Sequence, residues 1–127
     1  MGIITLTSDY GTKDFFISAV KGAILSELNN TNIIDISHDI TPFHIAECAY
    51  IVKNAYKNFP KKSVHIIAVD TEKQKNKKHI AAYIDDHYFI TSDSGILSLM
   101  FPQTKVHEIV EINISGEYET ELFPTRD

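Results

Sequence analysis

The chain has one cysteine, Cys48, among 127 residues, which excludes an intrachain disulfide framework. Cys48 falls in an apolar pattern at helical spacing, so it reads as a core thiol kept in a reducing compartment and not as a nucleophile. No apolar run approaches the roughly eighteen residues that a membrane-spanning helix needs, and Met1-Gly2-Ile3-Ile4 lacks the basic stretch and long apolar core of a secretion signal. These absences predict a cytoplasmic protein without a membrane partner. Positive charge is also scarce. Twelve Lys and Arg against 17 Asp and Glu leave a net charge of −5, which argues against a nucleic-acid partner held by clustered cations. The one local cluster, Lys73, Lys75, Lys77 and Lys78, reads as a solvated loop, with Lys77 kept open as an anion or substrate contact.

What is present suits one domain with a true core: 43% of the residues are hydrophobic. Ile3 to Leu6, Ile33 to Ile36 and Val64 to Val69 are short β-branched runs, broken by charge only at Asp35 and His65, and predict parallel strands covered on both faces. Between the first two, Thr12 is placed to cap a helix with Asp14 in its first turn. Phe15, Phe16, Ala19, Val20, Ala23, Ile24 and Leu28 then recur at helical spacing up to Asn29-Asn30. Thr41-Pro42 reads as a cap followed by proline at the first helical position, with Ile45, Cys48, Ala49 and Val52 as the buried stripe and Phe59-Pro60 as the stop. Thr71 to Lys78 is a loop expected over the crevice. Ile80 to Ile84 and Tyr88 to Thr91 flank a hairpin turn at Asp85-Asp86-His87, Ser92 to Gly95 opens a short helix through Met100, and Glu108 to Ile112 is a further strand. The alternation of strand and helix predicts an α/β fold, a three-layer Rossmann-like sandwich on a mostly parallel sheet. Leu122 and Phe123 look like the start of another buried element just before the end at Asp127, so residues 1–127 are expected to be a single N-terminal domain cut short at its C-terminal side.

In an open parallel sheet the ligand lies beyond the carboxyl ends of the strands, and those ends carry Asp9, His38 and Asp70. Each has a plainer reading. Asp9 can be a turn acid, Asp14 and Asp93 helix-start acids, His38 a strand-end hydrogen-bonder, and Phe43 core filler. Asp9, His38, Asp70 and Asp93 can also be read as ligands of a divalent metal for phosphoester hydrolysis, a reading that accounts for the acids but not for Gly11, Pro42 and Phe43.

Six pieces taken in order resemble the S-adenosyl-L-methionine hydroxide adenosyltransferase family, to which the bacterial fluorinating and chlorinating enzymes are related. They are Ile4-Thr5-Leu6-Thr7-Ser8-Asp9-Tyr10-Gly11 with Asp14-Phe15-Phe16, Val20-Lys21-Gly22-Ala23-Ile24-Leu25, Ile34 to Phe43, Phe59-Pro60 with Val64-His65, Val69-Asp70, and Ser92-Asp93-Ser94-Gly95-Ile96-Leu97. The resemblance implies a Rossmann-like first domain, followed in the family by a C-terminal β-barrel domain that this chain does not contain. It also implies a homotrimer with the substrate between neighbouring subunits. S-Adenosyl-L-methionine is then the substrate, with no cofactor and no metal, and the products are adenosine and methionine. Matched position by position, Asp9 with Tyr10 falls at the ribose-binding carboxylate, Phe43 at an aromatic against the sugar and sulfonium, and Thr125 at a small residue near the nucleophile. Asp70 falls at the acid of the hydrolases' Asp, Arg, His set, Lys77 at its arginine and Pro124 at its histidine. A lysine keeps the charge without the planar fork, and proline has no ionisable group, so a binding protein without turnover is the alternative.

Overall fold

The computed structural model describes residues 2–13, 15–69, 79–92, 95–102 and 108–112. In chain order these form β1 (Gly2–Ser8), α1 (Phe16–Glu27), β2 (Thr31–Ser37), α2 (Ile45–Ala55) with a 3₁₀ turn at Tyr56–Asn58, and β3 (Val64–Ala68). The hairpin of β4 (His79–Ile84) and β5 (His87–Ser92), α3 (Ile96–Met100) and β6 (Glu108–Ile112) follow. All join one six-stranded sheet in the order β2-β1-β3-β5-β4-β6. β1 runs parallel to β2 and β3, β3 parallel to β5, and β4 alone is reversed. The chain steps from β1 out to β2 and then back across β1 to β3. With right-handed crossovers, that reversal puts α1 on one face of the sheet and α2 on the other. The three-layer, mostly parallel sandwich expected from the pattern is the fold that forms.

The main core lies under α2 and α3, where Cys48, Val52, Ile96 and Met100 close over Ile67, Phe89, Ala82 and Ile84 of the sheet. Tyr56 is its hinge. The ring stands edge-on to His87, Phe89 and Phe101 at 5.1–5.5 Å, each such pair worth about 0.5–1.5 kcal/mol beyond its area, and the phenol donates to Asp85 Oδ2 at 2.7 Å. That bond anchors the β4–β5 turn, whose Asp85 and Asp86 both take left-handed backbone (φ 53° and 66°), the two-residue geometry that matches strand twist. Cys48 is fully buried, and burial pushes its thiol up to about 12, so the core-thiol reading holds.

Three local expectations change. Only β1 is covered on both faces, with Ile4 through Ser8 all buried. β2 is an edge strand and leaves Ile34 exposed, and β3 alternates between buried and half-buried positions. β3 thus has one face buried and the other half-buried, and β2 is at most half-buried, so the apolar runs there mark partial cover and not burial on two faces. At α1 the capping position is Phe15, with no side-chain cap, so Thr12 does not start the helix; Asp14 lies outside the described residues. The apolar spacing there marks a half-buried face, and Phe15 and Leu28 stand outside it, exposed. At α2, Pro42 and Phe43 form a turn and the helix begins three residues after the proline. Its cap is His44, whose Nδ1 accepts the Glu47 amide at 3.0 Å, while Glu47 reaches back to the Thr41 amide at 2.6 Å. His44 thus caps the helix through the Glu47 amide, while the Glu47 carboxylate ties down the preceding turn at Thr41 and the His44 amide goes to the Thr41 carbonyl. His44→Ala is therefore expected to lower stability by about 1 kcal/mol in urea melts and His44→Asp to retain it. Equal midpoints for wild type and the alanine variant would show that the cap contributes nothing.

Candidate functional site

β1 and β3 pair in register up to Ser8 opposite Ala68, so Asp9 and Val69 follow the ends of adjacent strands, at the switch point between outward and return crossovers. Among the described residues, two loops meet there, 9–13 and 38–44. Two contacts join them, and a third ties the end of β1 to the second loop. Gly11 N donates to the His38 carbonyl at 2.8 Å, Phe43 N donates to Asp9 Oδ2 at 3.2 Å, and Ser8 Oγ lies 2.6 Å from His38 Nδ1. Gly11 sits at φ 74°; a Cβ there would meet no atom within 4 Å, so backbone conformation, not crowding, calls for glycine.

Phe43 holds φ 64°, uncommon for a bulky residue, and the residue is 53% exposed. A left-handed non-glycine residue costs of order 1–2 kcal/mol, and here the Asp9 bond at one end and the Thr41–Glu47 bonds at the other hold the turn in place. Glu47's carboxyl is held below the usual range, chiefly by the Thr41 amide. Tyr10, also exposed, packs its ring 5.2 Å from Phe16 of α1. The outer surface of the two loops thus carries a carboxylate together with exposed aromatic residues, Tyr10 next to it in sequence and Phe43 bonded to it through the backbone. A carboxylate accepts from a vicinal diol, and ring faces stack on a base or attract a cation.

Behind Asp9 runs a chain of polar groups that sequence reasoning did not assemble, buried at Ser8 and His38 and partly open to solvent at Asp35 and Lys21. His38, 4% exposed, has Nε2 2.8 Å from Asp35 Oδ1, and Asp35 Oδ2 takes the Lys21 ammonium at 2.6 Å. Asp35 only accepts, so His38 Nε2 carries the hydrogen. Partial burial raises the Asp35 carboxyl, but the bonds from Lys21 and His38 outweigh it, and the carboxyl lies below its ordinary value. Residues three apart in a regular strand face opposite sides. A bulge between Leu6 and Thr7 of β1 advances the register from Asp35 to Ser37, the extra residue Ile36 restores the phase, and Asp35 and His38 share a face. The available signal was a charge inside each of two largely apolar elements, Asp35 in β2 and Lys21 in α1.

Of the residues singled out from the sequence, the structure brings Asp9, Tyr10, Phe43 and His38 together. Asp70, Lys77, Pro124, Thr125 and Asp93, with the loop 71–78, lie outside the described residues. His38 has both ring nitrogens engaged, and among the described residues no three His, Cys, Asp or Glu side chains gather to hold a metal. No described helix is long and apolar enough to cross a membrane.

Known proteins bear on this geometry. An (R)-S-adenosyl-L-methionine hydrolase of Methanocaldococcus jannaschii is 33% identical over all of this chain and 50% of its own length. A fluorinase of an Actinoplanes species is 34% identical over 49% of this chain and 21% of its own. The crystal structure of a conserved protein from Thermotoga maritima superposes with a TM-score of 0.83 at 25% identity, covering 97% of this chain and 52% of that one. The chain thus spans about half the length of the curated relative it matches end to end. Residues 4–127 match the SAM hydroxide adenosyltransferase N-terminal domain, and the chain belongs to that family.

Proposed function

We propose that this chain supplies the ribose and nucleophile side of a site that hydrolyses S-adenosyl-L-methionine to adenosine and L-methionine. The observation that carries the reading is the Asp9 carboxylate, fixed through the amide of the exposed Phe43 at a parallel-strand switch point, in a chain of this family. Asp9 accepts from the ribose hydroxyls, and Phe43 and Tyr10 lie against the sugar and the sulfonium. Oxygen of water or hydroxide bonds to C5′ as the C5′–S bond breaks. The electron pair returns to sulfur, methionine leaves neutral, and the nucleophile's surplus proton goes to solvent. No acid is needed for such a leaving group, so alignment and removal of excess water are the protein's task. Asp70 orients the nucleophile, Lys77 balances its charge, and Thr125 lies near the attacking oxygen. A cytoplasmic homotrimer, with no cofactor beyond the substrate itself, belongs to the same proposal and rests on the resemblance and the sequence.

Lys77 and Pro124, where the hydrolases carry arginine and histidine, favour a second reading, a protein that binds the nucleoside without turning it over. Chromatography of reaction products separates the two. Adenosine and methionine above a no-enzyme control support hydrolysis, and retained substrate with measurable binding supports the sensor. Under the first reading Asp70→Ala is expected to leave adenosine affinity unchanged and to slow turnover by about 10²–10⁴. Loss of binding in that variant would reassign Asp70 to the ribose.

A further inference from the structure

The chain Lys21–Asp35–His38–Ser8 has the order of residue types found in serine hydrolases, yet Ser8 is 3% exposed and its hydroxyl lies within hydrogen-bond reach of the Tyr10 amide, at 3.4 Å. A hydroxyl sealed in this way reaches no substrate carbonyl, so nucleophilic attack by Ser8 is not its use. What the chain does touch is the backbone on either side of Asp9. His38 meets the 8–11 segment twice, by Nδ1 to Ser8 Oγ and by its carbonyl to the Gly11 amide. Asp35, itself held by Lys21 on the opposite side, fixes the ring in plane. Asp9 lies between those two anchor points and in turn holds Phe43.

We infer that His38 is a positioning residue for nucleoside binding: through Ser8 and Gly11 it sets the backbone that aims the Asp9 carboxylate and, through Asp9, the left-handed turn at Phe43. The inference rests on the reading of Asp9 as the ribose acceptor, but it has a consequence in the unliganded protein. The Tyr10 and Phe43 amides are protected from exchange by bonds that depend on this chain, whereas Ile66 and Phe89 are protected by the sheet.

Amide hydrogen exchange and adenosine titration calorimetry on wild type, His38→Ala, His38→Asn and Ser8→Ala test it. The asparagine amide stands near the place of Nδ1 and can keep the Ser8 bond. His38→Ala and Ser8→Ala are expected to speed exchange at Tyr10 and Phe43 about tenfold with Ile66 and Phe89 little changed, and to weaken adenosine about tenfold. His38→Asn is expected to recover most of both losses. Equal acceleration at all four amides, failure of asparagine to recover the loop, or unchanged exchange and affinity in His38→Ala would each overturn the inference. A wild type that binds no adenosine overturns the functional reading and the ligand half of the inference together. The exchange pattern still decides, separately, whether His38 sets the loop.

Discussion

Asp9→Ala is expected to weaken adenosine binding by on the order of a hundredfold or more, the largest functional loss among the described residues. The magnitude follows from two ribose hydroxyls losing a charged acceptor, each such bond worth about 1.5–3 kcal/mol, and from release of Phe43, whose amide donates to the same carboxylate. Asp9→Asn separates the two contributions. Its amide oxygen can still accept from Phe43, so the turn should persist while the charge toward the ribose is gone, and an intermediate loss is expected. Phe43→Gly makes the converse change, since glycine takes φ 64° without strain but removes the ring. That variant should be no less stable than wild type in thermal melts and should bind adenosine several-fold more weakly. Calorimetric titration checks all three, and an Asp9→Ala protein that binds as wild type does would remove Asp9 from the site.

Acid should destabilise the fold through a buried imidazole pair on the opposite face of the sheet from the Asp35–His38 chain. His65 is fully buried, with Nδ1 2.7 Å from Thr5 Oγ1 and Nε2 3.1 Å from His87 Nδ1, and its ring stacks 5.1 Å from Phe89. Burial, with a smaller contribution from His87, lowers its pKa to about 4; His87 is lowered too, again mainly by burial and against the pull of Asp85 and Asp86. In the unfolded chain a histidine titrates near 6.5. Between the two values the unfolded state binds more protons, so stability rises with pH there. The contribution is fully present above about 6.5, is lost as pH falls toward 4, and changes no further below that. The shift corresponds to a loss of about 3 kcal/mol for His65. His65→Gln, which cannot titrate, should show a correspondingly smaller drop between pH 7 and pH 4 in urea melts. Parallel pH profiles for the two proteins would mean that His65 does not couple protons to folding.

The fold was legible because its strands and helices are set by period. β-branched runs, the apolar stripe Cys48-Ala49-Val52 and the Asp85-Asp86 turn report local backbone preference and one-sided burial, which the neighbouring residues alone decide. Helix starts were less legible, since Thr12 and Thr41-Pro42 satisfy the usual rule, but in the folded chain α1 is capped at Phe15 without a side-chain bond and α2 at His44, which accepts the Glu47 amide.

The site divides along the same line. That Asp9 follows a strand and precedes a glycine is visible in the order of residues, and so is its place at the carboxyl end of a parallel sheet. That His38 joins Asp35 to Ser8 depends on a one-residue bulge in strand pairing, and that Asp9 holds Phe43 depends on two loops 34 positions apart arriving at one sheet edge. Residue type and local period determined which elements exist and which acid stands at the carboxyl end of β1. Register and crossover hand, which are properties of paired strands and not of any segment alone, decided what that acid is braced against.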